Sequence, residues 1–225
     1  MKRIAIAIDG PAASGKSTTA QLVARRLGFL HIDTGAMYRA MTLKVLDRGL
    51  DIGDRDHVEA LAHETTIVLV SHEGANLVFL DGLDVTSRIR SRQVTAAVSA
   101  VSSYPGVREV MVREQRRMSE SGGVVLEGRD IGTVVLQDAE LKVFMIADVA
   151  ERARRRKQDL ALSGIDATET ELRAELEARD RKDSTRAASP LRKADDAVEL
   201  DTSNLTIDEQ VAFIVERAER LMEQE

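Results

Sequence analysis

Cysteine is absent from the 225-residue chain, which excludes disulfides, thiolate metal sites and cysteine nucleophiles at once. The absence fits a reducing compartment. Aromatic residues are scarce, at 3%, while 43% of residues are hydrophobic and 31% charged, an ordinary soluble composition without the signature of disorder or of a fibre. Long apolar runs are missing as well: the stretch after Lys2 and Arg3 stops at Asp9, too short for a signal core or a membrane span. No internal repeat or low-complexity tract stands out. His31, His57, His63 and His72 show no ligand spacing with other donors and read as surface or internally satisfied residues. The net charge of −6 argues against bulk binding to a nucleic-acid polymer, although 32 lysines and arginines must be placed somewhere. A cytoplasmic protein with no membrane or nucleic-acid partner is expected. It should be a monomer, because no long apolar stripe is left over once a core is assigned.

What is present begins at the N-terminus. Arg3 to Ile8 is nearly continuous apolar, largely β-branched sequence and predicts a strand buried on both faces. A glycine loop follows directly. From Lys16 to Leu27 apolar residues recur at helical spacing (Ala20, Val23, Ala24, Leu27), and Gly28 is a stop signal. A second strand is expected over Phe29 to Ile32, followed by a helix from "DTGAMYR" to about Arg48. Further strands are expected at Val124 to Glu127, Leu141 to Ile146 and Ala197 to Asp201, with helices at about Val107 to Met118, Val149 to Leu162 and Ile207 to Met222. A capping box, Thr206-x-x-Glu209, announces the last helix. Strands alternating with helices predict an α/β fold with a doubly wound parallel sheet.

One region breaks the rhythm. Thr65 to Arg90 alternates apolar and polar residues around Gly74 and again around Gly82, a hairpin pattern that predicts a small antiparallel insertion. Ala147 to Pro190 is rich in Arg, Asp and Glu at helical spacing. The expected division is a core over 1–64, an insertion over 65–100, core again over 101–148, a helical lid with acceptor-site helices over 149–190, and a closing strand and helix over 191–225.

The loop reads "DGPAASGKST", with Gly10-x-x-x-x-Gly15-Lys16-Ser17 spacing. Backbone N–H groups of such a loop converge on phosphate oxygens, because glycine permits the tight path and removes the Cβ that would block approach. The candidate triphosphate cradle is Gly10, Pro11, Ala12, Ala13, Ser14, Gly15, Lys16, Ser17 and Thr18. Lys16 would neutralise the β- and γ-phosphates, the Ser17 hydroxyl would bind Mg²⁺, and the following helix adds its positive N-terminal dipole. By chance this spacing should arise in about one chain in a hundred of this length.

A phosphate loop does not name a reaction, since switch GTPases, mechanical ATPases and small-molecule kinases all carry one. The Asn-Lys-x-Asp motif that reads guanine is absent, and no expected strand ends in the paired acids usual in a mechanical ATPase. Instead arginine accompanies aspartate at several loop ends: Asp33 and Arg39, Arg129 and Asp130, then Arg179, Asp183 and Arg186. Arginine forks grip phosphate at two points, and a neighbouring carboxylate orients the guanidinium or accepts from a sugar or base. Each pair taken alone also reads as a surface ion pair. Likewise "ERARRRKQ" puts Arg152, Arg155 and Arg156 on one helical face, either a solvated face paired with Glu151 and Asp159 or a lid over the transferring phosphoryl group.

Together "IDGPAASGKST", "DTGAMYR", "SSYPGVREVMVREQR", "LEGRDIGTVV" and "RDRKDSTRAASPL" closely resemble the bacterial cytidylate kinases of the nucleoside monophosphate kinase group. Order and spacing match from the first strand to the last helix. The resemblance implies transfer of the ATP γ-phosphoryl group to CMP or dCMP, giving the diphosphate and ADP, with the Thr65 to Arg90 region as the monophosphate-binding insertion. It also implies residue roles: Ser99, Arg108 and Asp130 read cytosine, Arg179 and Asp183 contact ribose, and Arg39, Arg129 and Arg186 clamp the acceptor phosphate. Thr34 stands where the family usually has serine; it keeps the hydroxyl and so is expected to keep the substrate contact. Lys16, Arg129, the lid residues Arg152 and Arg156, and Asp33 are the catalytic candidates, with Asp33 orienting either a magnesium-bound water or Arg129. Two readings compete with this one: another phosphate-loop kinase with an acceptor such as shikimate or dephospho-coenzyme A, and a nucleotide-sensing module without turnover.

Overall fold

The β-branched and alanine residues at the N-terminus form β1 (Ala5–Asp9), the central strand of a five-stranded parallel sheet, in a computed structural model that describes residues 2–72, 75–162 and 164–223. Around it stand β2 (Leu30–Asp33), β6 (Val124–Gly128), β7 (Leu141–Ile146) and β8 (Val198–Asp201), in the spatial order β2-β6-β1-β7-β8. Burial on both faces suits their apolar runs. Register sets Asp9 beside Gly128 on one neighbour and Phe144 on the other, and Asp33 beside Glu127. The carboxyl ends of the strands therefore line up at one rim, where ligands of open α/β sheets bind.

Helices cover both faces, as the alternation predicts. On one, α1 (Lys16–Leu27) and α8 (Ile207–Glu223) bury Val23 and Ile214 against Ile4, Ile6, Ile8 and Met145. On the other, α2 (Thr34–Asp47), α3 (Arg55–His63) and α5 (Pro105–Ser119) bury Met37, Met41, Val58, Val107 and Met111 against Leu126. Each such side chain contributes about 1.5–3 kcal/mol on burial, so both clusters hold the rim rigidly. The insertion is a three-stranded antiparallel sheet of β3 (Ile67–His72), β4 (Ala75–Leu80) and β5 (Leu83–Asp84). Gly74, one of the expected turn positions, lies outside the described residues, as does the side chain of His72; Gly82 is left-handed at φ 84°. Beyond the main sheet, α6 (Val149–Leu162) and α7 (Glu169–Thr185) share a small cluster, Ala153, Leu172 and Leu176, with Ala12 of the glycine loop.

Element ends differ from the sequence reading by a few residues: β1 starts at Ala5 and includes Asp9, and α5 opens two residues earlier, on Pro105. Two helices escape the reading. The short α3 depends on Asp54, whose side chain accepts from His57 N, and α4 (Arg92–Val101) is rich in β-branched residues that resemble strand. A π-helical turn, Ile131–Val135, also follows β6 where no element is expected. Among the described residues no helix is long and apolar enough to cross a membrane.

Candidate active site

The glycine loop leaves β1 along a path closed to other residues. At Gly10, φ is 150° and a Cβ would stand 2.1 Å from the carbonyl oxygen of Met145 on β7. Gly15, at φ 94°, is the N-cap of α1, and Ala13 is also left-handed at φ 59°. Among the described residues, none of the backbone N–H groups from Ala12 to Thr18 finds an acceptor in the protein. Unpaired amides at a helix N-terminus form an anion nest. Lys16 lies buried inside it, donating from Nζ to Pro11 O at 2.6 Å and to Ser14 Oγ at 3.3 Å. Burial, and next the nearby Arg129 guanidinium, push its pKa well below the usual lysine value. A charge held under that pressure is relieved by an anion.

Ser17 is exposed at the mouth of the loop and donates from Oγ to Glu127 Oε2 at 2.7 Å. That donation leaves oxygen lone pairs for a cation. Burial opposes the Glu127 charge, but His31, Lys16 and the Ser17 hydroxyl hold the carboxyl below the usual range. Its register partner Asp33 accepts from Ala36 N at 2.9 Å, capping α2, and is raised by burial and by the Glu127 charge. Two adjacent carboxylates and a serine oxygen fit Mg²⁺, which keeps several waters and takes phosphate oxygens for the rest. No group of three or more His, Asp or Glu side chains placed to hold a metal ion by themselves occurs among the described residues. Arg129 is oriented by Asp183, at 3.0 Å from Nε, so of the two expected roles of Asp33 the one through Arg129 does not match.

The residues expected to bind the acceptor come from five separate places around the same rim. Arg108 on α5 is buried and pairs through Nη2 with Asp130 Oδ2, while Nη1 donates to Ser102 O at 3.2 Å, one turn from Ser99 on α4. Its guanidinium lies 5.4 Å over the Tyr38 ring, a cation–π contact. Arg186 reaches Asp130 Oδ1 at 3.7 Å, and Arg179 reaches Asp183 at 4.0 Å. Arg39 donates to Thr95 Oγ1 at 3.2 Å, which hangs it between α2 and α4. Burial, then Arg129 and Arg39, bring the Arg179 guanidinium down to about 10. These are not solvated surface pairs. Thr34 is buried and its hydroxyl donates to Glu127 O at 2.7 Å, which clamps α2 to β6 and leaves its oxygen to act toward a substrate as an acceptor.

The arginine helix is likewise not a solvated face. Arg152 is 6% exposed and donates to Ala12 O at 3.2 Å, to Ala147 O, and to Asp180 at 2.6 Å. Arg155 joins Glu151 at 2.8 Å and Thr202 O at 2.5 Å. Arg156 is half-buried, makes no ion pair among the described residues, and acts on Arg39 and Arg179 by repulsion.

Three residues were missed. Glu127 ends an apolar strand as a single buried acid, whereas paired acids were the pattern sought. Asp9 is buried and accepts from Ile131 N and Gly132 N, both at 2.8 Å, tying β1 to the turn after Arg129 and Asp130. Arg155 was noticed only as part of a charged face.

Comparison with known proteins gives the family. The family model described as cytidylate kinase matches residues 6–220. A protein named cytidylate kinase from Geobacillus thermodenitrificans (strain NG80-2) is 52% identical over 215 residues, 96% of each chain. One of the same name from Limosilactobacillus fermentum is 50% identical over 225 residues, 100% of this chain and 99% of the other. Among solved structures, shikimate kinase from Bacteroides thetaiotaomicron superposes with a TM-score of 0.50 at 14% identity, covering 99% of each chain, a likeness of fold alone.

Proposed function

The chain belongs to the cytidylate kinase family, and on that premise we propose how its residues carry out ATP-dependent phosphorylation of CMP to CDP. The enzyme uses ATP as co-substrate. The observation that carries the residue assignment is crowding of positive charge: Lys16 is buried, Arg39 and Arg179 are half-buried, each is repelled by Arg129, and desolvation and that repulsion push all three below their usual values. Such a cluster suits two phosphate groups that must meet.

In this reading the amides of residues 12–18 and Lys16 hold the ATP phosphates. Arg39, Arg129 and Arg186 grip the CMP phosphate, Arg179 and Asp183 its ribose, and Ser99, Arg108 and Asp130 its base. An oxygen of the CMP phosphate attacks the γ-phosphorus in line as the bond to the β,γ-bridging oxygen breaks, and ADP departs with that electron pair. No general base is needed, because the attacking oxygen is already anionic. The protein's contribution is alignment and charge neutralisation. Ser17, with the nearby Asp33 and Glu127 carboxylates, would hold Mg²⁺, which would supply further neutralisation when bound. Arg152 and Arg156 serve the lid of 149–190, and the sheet within 65–100 covers the monophosphate; together they exclude water from the transfer. The exocyclic amine of cytosine can donate to Asp130, whereas uracil turns a carbonyl oxygen toward it, so the wrong base leaves a buried group unpaired. dCMP as a second acceptor, a monomeric state and a cytoplasmic location complete the proposal.

The test is ADP release with ATP and Mg²⁺ across CMP, dCMP, UMP, AMP, GMP and shikimate. Strong turnover is expected on CMP and dCMP and weaker turnover on UMP. Silence with both cytidylates would sink the reading.

A further inference from the structure

A line of polar contacts runs from the small sheet to the glycine loop, and the transfer described above makes no use of its first half. Asn76 on β4 donates its amide to His31 Nδ1. An imidazole that accepts at Nδ1 carries its proton on Nε2. His31 Nε2 lies 3.3 Å from Glu127 Oε1, and Glu127 Oε2 accepts a hydrogen bond from the Ser17 hydroxyl. His31 and Glu127 are 6% and 4% exposed, and neither Nε2 nor Oε1 has a hydrogen-bond partner elsewhere among the described residues. Two buried polar atoms in that position have only each other. Beside this line a cleft of about 210 Å³ opens, lined by Ser17, Thr18, Asp33, Asn76 and Arg90.

We propose that His31, held by Asn76, is a positioning residue that stops the Glu127 carboxylate from rotating, so that Glu127 accepts the Ser17 hydrogen bond and leaves the serine oxygen's lone pairs open to the metal–nucleotide. The seating of the small sheet then governs metal-assisted binding at the glycine loop, although the two lie on separate elements. The inference rests on the reading of Ser17 as a metal ligand. Asn76 and His31 touch neither substrate nor metal in it, and act through Glu127.

Calorimetric ATP affinity, measured with Mg²⁺ and again with a chelator, tests the relay in the full-length protein. His31→Leu fills the space without a donor and should cut the magnesium-dependent gain in affinity about tenfold, while metal-free affinity stays within about twofold of wild type. Asn76→Ala should lower the gain in the same direction by a smaller factor. His31→Gln, which keeps a donor and an acceptor, should restore most of it, and the double variant should be no worse than His31→Leu. In turnover the loss should fall on kcat, with KM for CMP unchanged. Equal losses with and without Mg²⁺ would make the role merely structural and overturn the relay. If His31→Leu fails to fold, an unchanged gain in Asn76→Ala overturns it. A wild-type protein without any gain refutes the Ser17 reading and the relay with it; a wild-type gain that both variants retain refutes the relay alone.

Discussion

The donor and acceptor ends of this site are built from different materials. In the proposed reading the donor end is one continuous loop in which backbone amides would do the binding, and its side chains apart from Lys16 are small. The proposed acceptor end is an assembly of mostly long side chains from α2, α5, α7 and its C-cap, and the turn after β6, held in place by one another: Arg108 and Arg186 on Asp130, Arg129 and Arg179 on Asp183. A backbone site fails when an atom is added; a side-chain site fails when a charge is removed.

Removing a charge should produce the larger effect. Asp130 is buried between two guanidinium groups, and Asp130→Asn leaves Arg108 without its carboxylate in a dry environment. Breaking one side of such a pair costs about 3–5 kcal/mol, which urea unfolding would register. The CMP-over-UMP preference should narrow in the same variant. An unchanged preference with lower overall activity would mean that Asp130 organises the arginines without reading the base.

Adding an atom at the donor end should cost slightly less. Gly10→Ala places a methyl against Met145 O in a backbone conformation that L-residues avoid, and a loss of about 3–4 kcal/mol is expected from strain and displacement of β7. Ser14→Ala removes one weak contact of Lys16 and adds no atom, so its melting temperature should stay close to wild type. If Gly10→Ala unfolds like wild type, the loop has slack and the contrast between the two ends is overstated.

The same contrast explains what could be read from the sequence. The donor end was legible residue by residue because a glycine path and a helix start are local events, encoded within nine residues. The alternation of strands and helices gave the sheet for a similar reason. Arginine–aspartate pairs at the acceptor end could be noticed, but whether they were solvent pairs or a buried cluster depended on folding over more than a hundred residues. Resemblance to a family, and not spacing, brought them together. The bond from Thr34 to a carbonyl of the neighbouring strand could not be foreseen, because an exposed threonine and one bonded in this way look identical in sequence. Glu127 and His31 escaped because each acts across a strand pairing, β2 with β6, that no local pattern announces.

The smallest predicted effect tests the joint between the two ends. Asp9 closes β1 just before the glycine loop, yet both its oxygens accept from amides of the acceptor-end turn, Ile131 N and Gly132 N. Burial pushes its carboxyl up to about 6, against the pull of those two amides, with Asp130 adding to the rise. The native state therefore holds a proton that an unfolded chain, titrating near 3.8, has already released. Stability from this group is fully present below about pH 4 and declines as pH rises toward 6, by up to about 3 kcal/mol. Asp9→Asn cannot titrate, and its single oxygen serves only one of the two amides, a fixed loss of about 1–3 kcal/mol. All other carboxyls are common to both proteins, so the difference in unfolding free energy isolates Asp9. The wild-type advantage should shrink steadily from pH 4 to pH 7. A constant difference would mean that Asp9 stays ionised throughout, the two amides outweighing burial, and that the joint between donor and acceptor ends is held by a permanent charge.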